Sequence, residues 1–237
     1  MKTTKYFISF LLLTVMVLSA QNRRTLEPAP DQSEGDGPHK RLIIRGGTLI
    51  DGTGAPPRGP VDIVVEGNKI TRVASVGIPF IEIDEESRPK DASYEIDAHG
   101  MYIMPGLIDL HVHTGGVPKA PEAEYAYKLW LGHGITTVRG VPFTNFDLSL
   151  SEKERSAKNA ITAPRMFSYH RPGSGSDDWK DGSVNDPETA KKWVRYIARK
   201  GADGMKLGSY PPNIMAALLD EAKKQNLGST AHLAQSG

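Results

Sequence analysis

The chain has 237 residues, of which 38% are hydrophobic and 24% charged, with a formal net charge of +1 and no cysteine. That balance is ordinary for a folded chain with a sizeable core and excludes an intrinsically disordered one. It also excludes disulfides, thiolate metal sites and a lipid-modified N-terminal cysteine, and it offers nothing that would steer the chain to nucleic acid or acidic lipid.

Residues 1–20 read as a secretory signal peptide. Lys2 and Lys5 supply the positive region, Phe7 to Leu18 the apolar one, and Leu18-Ser19-Ala20 a small-residue cleavage site before Gln21. The apolar run is 12 residues long, short of the roughly 20 that a bilayer span takes, so an exported, periplasmic or extracellular protein without a stable membrane span is expected. Loss of Lys2 and Lys5 takes the 29 basic residues to 27 against 28 acidic ones, a net charge of −1. Residues 21–40 are polar, with Pro28, Pro30 and Pro38 among scattered charges, and read as a flexible mature N-terminus.

Residues 41–104 carry strand patterns and read as a small β-sandwich domain. Leu42 to Ile44 is one strand; Val61, Ile63 and Val65 alternate with polar residues in a second; Gly67-Asn68 is a hairpin turn into Ile70 to Ala74. Pro79 to Ala92 reads as a loop. From residue 105 the pattern changes to strands alternating with helices. Met104 to His113 is an apolar strand, Ala123, Tyr127, Trp130 and Leu131 mark a helix, and Ile135 to Arg139 is the next strand. Met166 to Tyr169 is expected to be the third strand of this set. Asp186 is a good N-cap before Pro187, the stripe Ala190, Trp193, Val194, Ile197 and Ala198 spells an amphipathic helix, and Gly201 ends it. A short strand through Met205 and Lys206 follows, then a helix with Ile214, Ala217, Leu218 and Ala222 on one face, stopped by Gly228, and a strand running to His232. Repeated β-α units of this length imply right-handed crossovers and a parallel sheet.

Within that α/β region the chemistry gathers at strand ends. Residues i and i+2 of a strand share a face, so His111 and His113 can close on one metal ion, and Lys206 and His232 each end a later strand. In a parallel (β/α)8 barrel of TIM type, such ends converge on the active-site face. His170 and Arg171, just past the third strand, are candidates for contact with a substrate carboxylate, and Tyr210 and Arg139 occupy similar positions. Asp177, Asp178 and Asp181 lie in a Gly/Ser-rich loop expected to be solvated; His133 reads as structural, and His39 and His99 lie outside the barrel.

Five stretches together resemble the amidohydrolase superfamily, specifically its imidazolonepropionase-like and Xaa-Pro-dipeptidase-like members: residues 42–54 (LIIRGGTLIDGTG), 104–113 (MPGLIDLHVH), 134–139 (GITTVR), 201–207 (GADGMKL) and 229–232 (STAH). The resemblance implies a β-sandwich beside a (β/α)8 barrel. It also implies one or two divalent ions, with His111 and His113 on the more buried metal, a CO2-derived carbamate on Lys206 bridging two ions, and His232 on the second. A carbamate supplies the bridging anion that an ammonium could not, and a hydroxide held by the metal would cleave a C–N bond in an amide, cyclic amide or dipeptide-like small molecule. Zinc suits nitrogen and oxygen ligands; manganese and cobalt are not distinguished from it.

The resemblance also implies a histidine on a sixth strand and a catalytic aspartate on an eighth, which have no counterpart before Gly237. Gly106 to Gly237 is 132 residues against about 250 for a whole barrel, so about five strands of an incomplete barrel are expected, inactive on their own. A single-metal deaminase or imidazolone-type ring opener, or a non-catalytic exported binding protein on the same fold, are the alternatives. Oligomeric state, substrate and the number of ions are left open by the sequence.

Overall fold

The computed structural model describes residues 26–78, 80–81, 83–114, 122–140 and 145–232; the expected signal peptide lies outside them. The chain divides into two compact units, one of Gln32–Ile108 with Gly134–Thr137, the other of the chain up to Asp31 with Asp109–His133 and Val138–Gly237.

The first unit is built on β1 (Arg41–Leu49), which pairs antiparallel with β2 (Arg58–Glu66). β2 turns back through Gly67, whose φ of 58° suits the two-residue hairpin, into antiparallel β3 (Lys69–Ser75). On its other side β1 runs parallel to β4 (Tyr94–Asp97) and β5 (Tyr102–Ile103), so the described residues of this unit form one mixed five-stranded sheet. Alternation buries Leu49, Val61 and Ile63 together against Ile44, Val65 and Ile103. Gly47 lets Ile103 pack close, since a Cβ there would sit 2.4 Å from Ile103 Cδ1 and force that side chain to shift. The buried carboxylate of Asp62 is 0% exposed and fully paired: it accepts from Gly46 N at 2.9 Å, from Arg45 at 3.0 Å and from the buried Arg88 twice at 2.9 Å. Burial opposes its ionisation, but the hydrogen bonds from Arg88, Arg45 and Gly46 outweigh it and hold the carboxyl below its ordinary range. The 79–92 stretch is a loop among its described residues apart from a single 3-10 turn at Glu85–Ser87, capped by Asp84.

The α/β region alternates throughout: β6 (Leu107–Val112), α1 (Ala123–Gly132), β7 (Ile135–Gly140), α2 (Phe146–Ala157), β8 (Arg165–His170), α3 (Pro187–Lys200), β9 (Gly204–Leu207), α4 (Pro212–Lys224) and β10 (Gly228–Ala231). Its sheet has the order β10-β9-β8-β7-β6, sequential neighbours side by side, with β8, β9 and β10 paired parallel. Among the described residues it does not return on itself, and it is an incomplete (β/α)8 barrel of five strands.

The helices form where the sequence marks them, with one exception. Asp186 accepts from Thr189 N at 2.9 Å, Pro187 fills the first turn and Gly201 closes α3 with φ 87°. Ala190, Trp193, Val194 and Ile197 are buried on one face and pack with Met205, Leu207, Ile214, Ala217, Leu218 and Ala222 in a single core. Truncating Trp193 there would cost about 3–5 kcal/mol. The exception is α2, which no apolar stripe announces: its buried positions are Phe146, Ser149, Glu152 and Ser156. Asn145 caps it by accepting from Leu148 N at 2.9 Å. α4 ends at Lys224 rather than running to Gly228, which instead opens β10.

Within the stretch expected to be flexible, the described residues 26–31 are packed against the α/β unit: Ala29 is buried, and the Glu27 backbone forms an isolated parallel β-bridge with Glu122. Further on, His39 stacks on Tyr94 with ring centroids 4.1 Å apart, and Tyr94 donates to Asp36 at 3.1 Å. Among the described residues no helix is long and apolar enough to cross a membrane.

Candidate metal centre

Strand parity decides which side chains meet. On β6, Val112 is buried while His111 and, one residue past the strand, His113 project to the opposite face. Their Nε2 atoms are 3.3 Å apart. On β9, Lys206 shares a face with Gly204, and its Nζ lies 2.8 Å from His111 Nε2 although the residue is only 2% exposed. β10 is in register with β9, Thr230 opposite Lys206, and the His232 N–H donates to the Leu207 carbonyl at 3.4 Å. That bond levels His232 with the end of β9 and leaves its ring centroid 5.5 Å from that of His111.

The electrostatics favour uncharged nitrogen. Partial desolvation, then the charges of Lys206, His113 and His232, press the His111 pKa below its ordinary value, and Asp109 opposes them weakly. Asp109 also accepts from the His111 backbone N–H at 2.9 Å. Burial lowers the Lys206 pKa, with the guanidinium groups of Arg171 and Arg139 adding to it. An amine so placed is more often neutral than a surface lysine, which is the form that can take up CO2.

The floor of this face is a residue that the sequence did not point out. Tyr169, on the parity of Phe167 and Arg171, lies across β9 and β10: a Cβ at Gly204 would come within 2.5 Å of its ring and one at Gly228 within 2.1 Å of its hydroxyl. The signal was available as two glycines opening successive strands beside an alternating Phe167-x-Tyr169. Arg139 sits over the Tyr169 ring at 5.4 Å and donates through Nε to the Leu110 carbonyl at 3.3 Å. Arg171 is exposed at the end of β8, close enough to Tyr210 to oppose the rise that burial imposes on its phenol pKa.

His170 departs from its expected role. It falls on the other parity, is 2% exposed, holds Ser168 Oγ at 2.9 Å through Nε2 and packs tilted against the Phe146 ring of α2 with centroids 4.3 Å apart. Its contacts join β8 to a helix, and burial pushes its pKa down to about 4, so it stays neutral. The acidic loop is likewise committed to the helical layer: Asp178 accepts from Tyr196 at 2.7 Å and pairs with Lys200 at 2.8 Å. His133 is a helix-end residue whose Nδ1 meets the Leu129 carbonyl at 2.8 Å, and His99 pairs with Asp97.

The donor set suits a divalent ion in part. Two ring nitrogens bound to one tetrahedral ion at about 2.0–2.1 Å stand roughly 3.4 Å apart, close to the 3.3 Å between His111 and His113. Among the described residues, no group of three or more His, Cys, Asp or Glu side chains is arranged to hold an ion. Among the described residues, the further side chain in place at the histidine pair is Lys206.

A model of the amidohydrolase family matches residues 102–237. The chain is 35% identical over 121 residues to an N-acyl-D-aspartate deacylase of Alcaligenes xylosoxydans xylosoxydans, covering 49% of this chain and 19% of that protein. It is 35% identical over 97 residues to adenine deaminase 2 of Agrobacterium fabrum (strain C58 / ATCC 33970), covering 41% of this chain and 14% of that one. The fold is similar to the crystal structure of a Xaa-Pro dipeptidase with bound methionine in the active site, with a TM-score of 0.57 at 24% identity, over 81% of this chain and 56% of that one. The chain thus spans less than a fifth of the length of the two curated relatives.

Proposed function

Because the chain belongs to the amidohydrolase family, we propose that it carries the first metal ligands of a hydrolase acting on C–N bonds in an amide, cyclic amide or dipeptide-like substrate. The observation that carries this reading is the convergence of His111 Nε2, His113 Nε2 and Lys206 Nζ within 3.3 Å and 2.8 Å of one another along the row. His111 and His113 would hold one ion, zinc by preference for its nitrogen ligands, and Lys206 as a carbamate would offer oxygens to it and to a second ion shared with His232. Ions bound there would acidify water and polarise the scissile carbonyl.

The chain's own residues supply the rest. Burial keeps the Lys206 amine open to CO2, and Arg139 and Arg171 set positive charge beside it. Arg171 and Tyr210 would meet a carboxylate on the substrate, which fits the N-acyl amino acid and dipeptide named for the deacylase and the dipeptidase. His170 has no part in that contact. Within the family, the imidazolonepropionase-like and Xaa-Pro-dipeptidase-like members are the proposed neighbourhood, and export after cleavage at Ala20 is the proposed setting. A one-metal deaminase is the second reading, favoured by the likeness to adenine deaminase 2; it would leave Lys206 as a plain amine.

Metal counting separates the two. Protein with the barrel completed, loaded with zinc in 13C-bicarbonate, is expected to hold two ions and give a carbamate carbon signal, and Lys206→Ala to lose both the signal and the second ion. Retention of two ions by the alanine variant would remove Lys206 from the centre. One ion and no carbamate signal in the parent would favour the deaminase reading.

A further inference from the structure

The segment before β1 reads Leu26-Glu27-Pro28-Ala29-Pro30-Asp31. Pro28 and Pro30 have no N–H, so Ala29 holds the only backbone donor of the three. That donor is spent inside the protein, on Glu152 Oε2 at 3.0 Å. Glu152 is 0% exposed on α2, and its other partners are the Tyr127 hydroxyl of α1 at 3.1 Å and Arg155 of its own helix. Arg155 in turn reaches Asp31 at 2.9 Å. At the other end of the segment, the Glu27 carbonyl accepts from Ala123 N at 3.1 Å. Ala123 opens α1, whose N-cap residue Glu122 makes no side-chain capping bond, so the segment's backbone does the work of the missing cap.

A fully buried carboxylate costs several kcal/mol unless donors surround it. Here the donors come from three places, α1, α2 and residues 26–31, and each is held in position by the carboxylate they share. The flanking prolines hold the segment extended before it docks, which lowers the entropy lost on seating. We propose that residues 26–31 are an intramolecular strap that clamps α1 to α2 through Glu152, and so fixes the two helices that follow the strands bearing His111 and Arg139. A chain in which the strap is unseated should keep the α3–α4 core, which makes none of these contacts, and loosen around α1.

Amide hydrogen exchange on the whole chain tests this with two variants that unseat the strap by different means. Ala29→Pro deletes the donated N–H within an already proline-rich segment; Ala29→Trp cannot fit a position that is 3% exposed. In both, amides in the first turn of α1 and in the Glu152–Ala157 half of α2 are expected to exchange about tenfold faster or more, the consequence of losing a hydrogen bond to a buried charge, while those of Pro212–Lys224 in α4 stay as protected as in the parent. Unchanged exchange in α1 would overturn the strap. So would an equal loss across α1 and α4, which would mean a general loss of stability with no local clamp.

Discussion

His111 and His170 each lie at the C-terminal end of a strand of the same sheet, and both have pKa values below that of an ordinary histidine. They differ in which way the strand faces them. His111 shares its face with His113 and meets Lys206, whereas His170 shares its face with Met166 and Ser168 and meets Phe146 of the helix layer. A histidine at a strand end is therefore only half a signal: one residue of parity separates a proposed ligand from a core side chain.

Metal affinity should break the pair apart most widely. His111→Ala is expected to weaken zinc binding by about a hundredfold or more, since even the outer partners of metal ligands are worth about 10–100-fold, with little change in melting temperature. His170→Ala should leave zinc affinity within about threefold and cost about 2–4 kcal/mol of stability through the cavity between β8 and α2. Isothermal titration and denaturant melts measure the two. If His170→Ala loses the metal as His111→Ala does, the parity argument fails.

Acid comes next in size. Burial holds the His170 pKa at about 4 in the folded chain against 6.5 for the unfolded ring, with Lys153 contributing. Between those values the unfolded chain binds the extra proton, so stability rises with pH through the window and falls as pH drops from 6.5 to 4. The full cost is about 3 kcal/mol, at 1.36 kcal/mol per unit. Subtracting the stability profile of His170→Asn from that of the parent should leave this slope alone; a flat difference would show that the ring protonates freely and is not enclosed.

How far such differences can be read from sequence depends on the strength of the periodic signal. The His111-Val112-His113 parity was legible because two histidines two residues apart share a face whatever the phase of the strand, and β6 is extended through Val112 between them. β8 was legible as a strand, but its phase was not: Met166, Phe167 and Tyr169 are all apolar, so either face could be the core, and the end of the strand at His170 decided the matter. α3 was legible through Asp186, Pro187 and Gly201, whereas α2 was not, because it buries two serines and a glutamate in place of an apolar stripe. The packing of residues 26–31 was hidden for a similar reason. Prolines and charges score as disorder, and only the buried Glu152, far away in sequence, gives the segment something to bind.

A smaller effect tests what holds His170 in place. Ser168 Oγ is its hydrogen-bond partner at 2.9 Å, and both side chains are buried. Ser168→Ala removes that partner and leaves a buried ring nitrogen unpaired, at a cost of about 1–3 kcal/mol. Zinc affinity should not move. A stability loss below about 0.5 kcal/mol, well under the usual penalty for an orphaned buried group, would mean that water or a shifted side chain already serves the ring.

The smallest expected change is in Ser149→Ala, and it concerns a single proton. Ser168 Oγ has one hydrogen and two neighbours, Ser149 Oγ at 3.2 Å and His170 Nε2 at 2.9 Å. With Ser168 donating to Ser149, the hydroxyl oxygen is left as acceptor for His170, and the neutral ring must carry its proton on Nε2. Removing the Ser149 hydroxyl frees the Ser168 hydrogen to turn towards His170, which would then accept at Nε2 and hold its own proton on Nδ1. The energy involved is small, about 0.5–1 kcal/mol for one exchanged neutral hydrogen bond, but the tautomer is visible. The nitrogen-15 shifts of the His170 ring should exchange their order between parent and variant at neutral pH, where a ring with a pKa of about 4 is uncharged. The His111 ring, on the opposite face, should show no such exchange. Identical His170 shifts in the two proteins would mean that Ser168 already donates to the ring, and that the helix layer fixes His170 by packing against Phe146 alone.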